Sequence, residues 1–212
     1  MKDLSLRSLK EFLGNFSDIV SGGPFTTNIE IPFRIKPHEF LKFAEHDLNN
    51  AYEHHLVNAL SNIKRATDCQ FDSLLVGFGL YEISRRKNLD FPRKVDLLNS
   101  LGIVSPDILG RINKKRNLLE HEYANPDREG VQDALDVITL FLAYTDRFLC
   151  NALIMCEPHN TKTNEFFAVA LDYKNRTLSL SRGDINTQIY ISAESEEYLD
   201  YLRLFLSLYN IL

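Results

Sequence analysis

Residues 111–127 read RINKKRNLLEHEYANPD, and within them Arg116, Asn117, His121 and Tyr123 follow the spacing R-N-x3-H-x-Y. These residue types suit proton transfer beside an anion. An imidazole with an ordinary pKa of ~6.5 gives or takes a proton near neutral pH, and a guanidinium offers a planar fork of donors to phosphate or carboxylate oxygens. Each residue of a helix advances ~100°, so Asn117 and His121 fall within ~40° of each other, whereas Arg116 and His121 are ~140° apart. With Ile108 at zero, Ile112, Leu119, Tyr123 and Leu109 lie between ~20° and ~100°, and Arg116 lands at ~80° inside that apolar stripe. An arginine on a packed face is costly unless an anion or a partner receives it. The plain structural alternative is an Arg116–Glu120 pair at i,i+4, with His121 as a polar residue favoured by the helix dipole in the last turn.

The elements that must position these residues follow from periodicity. Leu6, Leu9, Leu13, Phe16 and Val20 predict an amphipathic helix over 4–20, closed by Ser21-Gly22-Gly23-Pro24. Ile29, Ile31, Phe33 and Ile35 alternate, and Pro32 among them predicts an edge strand at 28–35. Residues 37–86 are helical in pattern, with Asp68 and Gly77 as places for a break. A short helix is expected from Pro92 to Leu101, then one that starts at Ser105-Pro106-Asp107, contains the motif and stops before Asn125-Pro126, then one from Asp127 to about Leu153. Three runs, 165–171, 177–182 and 187–192, predict an antiparallel meander, followed by a closing helix over 194–212.

The expected organisation is therefore mainly α. A helix and edge strand occupy 1–36, a helical bundle 37–155, and a small antiparallel β-meander with a final helix 160–212, packed on the bundle. The 212 residues, 44% of them hydrophobic, suffice for a proper core. The first residues, MKDLSLRSLKEFL, carry charges where an export signal needs an apolar run, and Val137–Tyr144 is too short to span a bilayer. Cys69, Cys150 and Cys156 form no C-x-x-C pair, which fits a reducing cytoplasm and no disulfide framework. His54-His55 and the group Cys150, Cys156, His159 lack the spacing of a metal site.

The formal net charge of −5 argues against a polyanionic partner, but its distribution reverses that. Between Arg85 and Arg116 nine basic residues face three acids, a local +6 that leaves −11 for the rest of the chain. This segment presents either a cationic surface or two solvated helix faces.

The motif, with the helical segments around it, resembles the HEPN family (higher eukaryotes and prokaryotes nucleotide-binding), whose signature is R-x4-6-H, often with Asn after the Arg and sometimes with Tyr two places after the His. The resemblance covers roughly residues 40–153, leaving the N-terminal 35 residues and the tail from about 160 outside it. It implies a HEPN-like helical bundle and a homodimer whose two motifs meet across a two-fold axis to form one metal-independent endoribonuclease site, without a cofactor. Arg116, His121 and Asn117 are its implied catalytic residues, Arg111, Lys114 and Lys115 would hold the RNA, and Asp68 and Asp72 are candidates for a supporting acid. The resemblance further implies a toxin–antitoxin or phage-defence setting, in which Tyr123 is a position that a nucleotidyltransferase antitoxin modifies with nucleotides. The rival expectation is a non-catalytic dimerisation module that binds RNA, a nucleotide or a protein.

Overall fold

Ser5 begins the first helix with a reciprocal cap: its Oγ accepts from the Ser8 amide at 3.2 Å, and Ser8 Oγ takes the Ser5 amide at 3.1 Å. The computed structural model describes residues 4–14, 16–103 and 126–210. Helix α1, Leu6–Leu13, buries Leu9, Phe12 and Leu13. It stops well short of the expected 20: a 3-10 turn at Phe16–Asp18 leads into β1, Ile19–Ser21, which pairs antiparallel with β4, Pro158–Asn160. Extended pairing of the β-branched Ile19 and Val20 overrides the helical spacing that Phe16 and Val20 share with α1.

Strand β2 is Phe25–Thr27, not the alternating run at 28–35, which forms no strand. Ile29 is still buried and donates its amide to Leu149 O at 2.8 Å, but Pro32 has no amide to give to a ladder.

Helices α2, Pro37–Asn49, and α3, His55–Gly77, are separated at 50–54, where His54 takes the left-handed conformation at φ 65°. The break expected at Asp68 does not occur, since Asp68 lies inside α3; the one expected at Gly77 ends that helix. A Cβ at Gly77 would stand 3.3 Å from Leu149 Cδ2, so glycine permits the close approach of the chain at Phe148 and Leu149. Then come α4, Tyr81–Arg86, and α5, Phe91–Ser100, the latter capped by Asp90, whose Oδ1 accepts from the Arg93 amide at 3.1 Å.

Helix α6, Arg128–Thr145, starts at the Asp127 cap and packs with α2 and α3. Phe71 of α3, fully buried, lies between Phe91 and Phe141, with ring centroids 5.0 and 5.4 Å away. Helix α6 ends earlier than the expected Leu153, through a 3-10 turn at Asp146–Phe148, and Asn151 at φ 54° turns the chain into β3, Ala152–Cys156.

The meander is present as β5, Phe167–Asp172, β6, Thr177–Arg182, and β7, Asp184–Ser192. It is only part of a five-stranded antiparallel sheet of order β2-β3-β5-β6-β7, with Val169 opposite Leu180 and Leu180 opposite Ile189. Phe167, Val169, Leu171, Leu178 and Leu180 alternate toward one buried face. That face is covered by α7, Tyr198–Ser207, which buries Tyr198, Leu202 and Phe205, and by α1, whose Phe12 ring lies 4.8 Å from Phe167. The buried side chains of helices and sheet form a single cluster.

The expectation of a mainly α chain with a helical bundle is thus overturned. The protein is a mixed α/β fold: among the described residues β2 and β3 extend the meander into a five-stranded antiparallel sheet, and β1 and β4 pair as a second, two-stranded one. Among the described residues, no helix is long and apolar enough to cross a membrane.

Candidate functional site

Arg111, Lys114, Lys115, Arg116, Asn117, His121 and Tyr123 lie in the segment 104–125, outside the described residues. Of the sequence-derived candidates, Asp68 and Asp72 are placed: both are half-buried and stand one turn apart on α3. Lys94 of α5 donates to Asp72 Oδ1 at 2.5 Å, with both side chains largely covered, so the pair ties α5 to α3.

The basic run that begins at Arg85 is distributed by the fold. Arg85 stands over the Tyr81 ring at 5.9 Å, Arg93 lies 3.9 Å from Asp90, and Arg86 donates to Glu194 Oε2 at 2.6 Å, across to the loop before α7. That hydrogen bond holds the Glu194 carboxyl below its ordinary range. Arg176, from the β5–β6 turn, approaches the other oxygen of Glu194 at 3.8 Å. Burial pushes the Tyr81 hydroxyl above its usual pKa.

A second polar site lies between α2 and α3. Phe43, His46, Asp47, Asn58, Ser61, Asn62 and Arg65 line a pocket of about 420 Å³. Asp47 is its centre: one carboxylate oxygen accepts from Tyr52 Oη, the other from Asn62 Nδ2 at 2.8 Å. The hydrogen bond to Asp47 raises the Tyr52 pKa. Arg65 donates to Asn62 Oδ1 at 3.3 Å, and His46 Nδ1 is 3.9 Å from Asp47. The protein's own donors satisfy the Asp47 carboxylate, and Arg65 brings one cation to a polar cleft of small-molecule size. Asn58, Ser61, Asn62 and Arg65 recur at spacings of three and four, a polar stripe on α3 that is legible in the sequence.

A third cluster joins residues distant in sequence. His38 Nε2 meets Asp146 Oδ2 at 2.7 Å, while buried Gln70 donates to Thr145 Oγ1 at 2.8 Å and to Asp146 Oδ1 at 3.3 Å. A carboxylate so held orients the imidazole, the arrangement of a base and its orienting group. No sequence signal links His38 to Asp146, because 108 positions separate them.

Among the described residues no group of three or more His, Cys, Asp or Glu could hold a metal ion. The three cysteines are free, Cys150 exposed and Cys156 buried, and burial pushes the Cys69 thiol up to about 11. No family model, no curated protein and no solved structure matches the chain.

Proposed function

We propose that this protein is a metal-independent endoribonuclease that acts as a homodimer in the cytoplasm, with Arg116, Asn117 and His121 as its catalytic residues. One observation carries the reading: R-N-x3-H-x-Y at 116–123, at the end of the segment that holds the chain's excess of positive charge.

The chemistry needs few groups. The RNA 2′-hydroxyl attacks phosphorus in line and gives its proton to a base; the phosphorus–O5′ bond breaks, and an acid protonates the departing 5′-oxygen. His121 serves as base or acid, Arg116 receives the charge that grows on the non-bridging oxygens, and Asn117 orients the imidazole or the phosphate. Products carry a 2′,3′-cyclic phosphate and a 5′-hydroxyl, and DNA resists because it lacks the nucleophile. Arg116 and His121, ~140° apart on a straight helix, serve one phosphate most simply when a second copy supplies the missing partner. Restraint by a nucleotidyltransferase antitoxin acting at Tyr123 belongs to the same reading.

A non-catalytic module is favoured by a different observation, the polar pocket between α2 and α3, where Arg65 could meet a nucleotide phosphate without any residue of the motif. Incubation with RNA in the presence of a chelator separates the two. Cleavage that survives the chelator and is lost in His121→Ala and Arg116→Ala supports the enzyme; tight nucleotide binding without cleavage, lost in Arg65→Ala, supports the module.

A further inference from the structure

The fold brings the end of α3, α4 and the β5–β6 turn together around a groove of about 630 Å³, whose lining includes Glu30, Tyr81, Glu82, Tyr173, Lys174 and Arg176. Its base requires a glycine. Gly79 sits at φ +71°, and a Cβ there would stand 3.1 Å from Arg176 Cα and 3.2 Å from Tyr198 Oη. Tyr198 Oη in turn donates to Phe78 O at 2.8 Å, which fixes α7 against this corner.

Two half-buried aromatic rings, each with its own cation, flank the groove. Arg85 lies 5.9 Å from the Tyr81 centroid and Lys174 5.8 Å from that of Tyr173. Arg86 and Arg176 converge on Glu194, and Lys87 is close enough to help hold that carboxyl ionised. Five cations therefore gather at this corner, among the carboxylates Glu30, Glu82 and Glu194, with Asp72 beside Tyr81 and Asp172 beside Lys174. The carboxylates are exchangeable partners: Lys174–Glu30 at 3.1 Å and Arg86–Glu194 join exposed side chains, and such pairs hold weakly in water. A phosphate can replace either.

We propose that this groove binds a short stretch of single-stranded RNA, with bases against Tyr81 and Tyr173 and phosphates on Arg85, Lys174 and Arg176. Cations along the backbone and aromatic faces for successive bases are the two requirements of sequence-tolerant single-strand binding. The choice of RNA over other single strands rests on the cleavage reading; the groove itself does not involve residues 104–125.

The test is fluorescence anisotropy with a labelled, fully 2′-O-methylated RNA, which lacks the nucleophile and cannot be cleaved. Arg85 and Lys174 are exposed, so Arg85→Glu/Lys174→Glu should keep the wild-type circular dichroism and melting temperature. It should weaken binding at least tenfold and flatten the dependence of log Kd on log salt by about 0.7 per charge removed. A 4-thiouridine RNA should crosslink to the wild-type peptides that contain Tyr81 and Tyr173. Wild-type affinity and slope in the double variant, or crosslinks confined to other peptides, overturn the groove even if cleavage depends on His121. Equal loss of binding to poly-glutamate, with no crosslink at either tyrosine, overturns it in favour of an acidic protein partner. Binding and crosslinking as expected without any cleavage overturn the ribonuclease reading and leave the groove.

Discussion

At the scale of single residues, the consequences concern protons. Tyr198 is fully buried and Tyr209 half-buried; burial raises both hydroxyls, Tyr209 to about 12. In the unfolded chain both ionise near 10, so between that value and about 12 the folded state holds protons that the unfolded state has lost. The stability these groups contribute is complete below pH 10 and declines as pH rises from there. Equilibrium unfolding from pH 8 to 11.5 should show this fall, and Tyr209→Phe should reduce it. The thiols give a second outcome. At pH 8 iodoacetamide should modify exposed Cys150 first and Cys69 and Cys156 far more slowly, because burial raises both of those thiols and the thiolate is the reactive form; mass spectrometry of the peptides gives the order. The catalytic candidates Arg116, Asn117 and His121 were legible as residue types at a spacing. His38–Asp146 and Arg176–Glu194 were not, since a pair made by tertiary packing leaves no local pattern.

Among the elements, Phe71 is the test of the helical layer. It packs on Phe91 and Phe141 with no exposed surface, and Phe71→Ala should cost roughly 3–5 kcal/mol in denaturant unfolding. Gly79→Ala forces an L side chain into a left-handed turn and against Arg176, and should cost about 1–3 kcal/mol. Elements with strong local signals were readable: the start of α6 at Asp127, the end of α3 at Gly77, and the strands β5 and β6. The misplaced ones lacked such signals. Phe16 and Val20 share the period of α1 but belong to a turn and a strand, and residues 152–156 continue the apolar run of α6 yet pair with β2 and β5. A short apolar run suits helix or strand equally, and only the partner decides.

The whole molecule is a mixed α/β protein in which a five-stranded sheet and a layer of helices share one buried cluster. The size of that sheet was hidden in the sequence, because the strands that enlarge the meander come from residues 25–27 and 152–156, far apart along the chain. The proposed catalysis also belongs to this scale, since its site needs two copies. Sedimentation at working concentration should give a dimer, and a monomer alone would remove the composite site. The most direct measurement is cleavage of RNA in excess chelator by wild type, His121→Ala, Arg116→Ala and an equimolar mixture of the two variants after subunit exchange. The account predicts cleavage by wild type that leaves 2′,3′-cyclic phosphate ends, and a loss of about 100-fold or more in each variant. Wild-type rates in His121→Ala, or cleavage that the chelator abolishes, would contradict it.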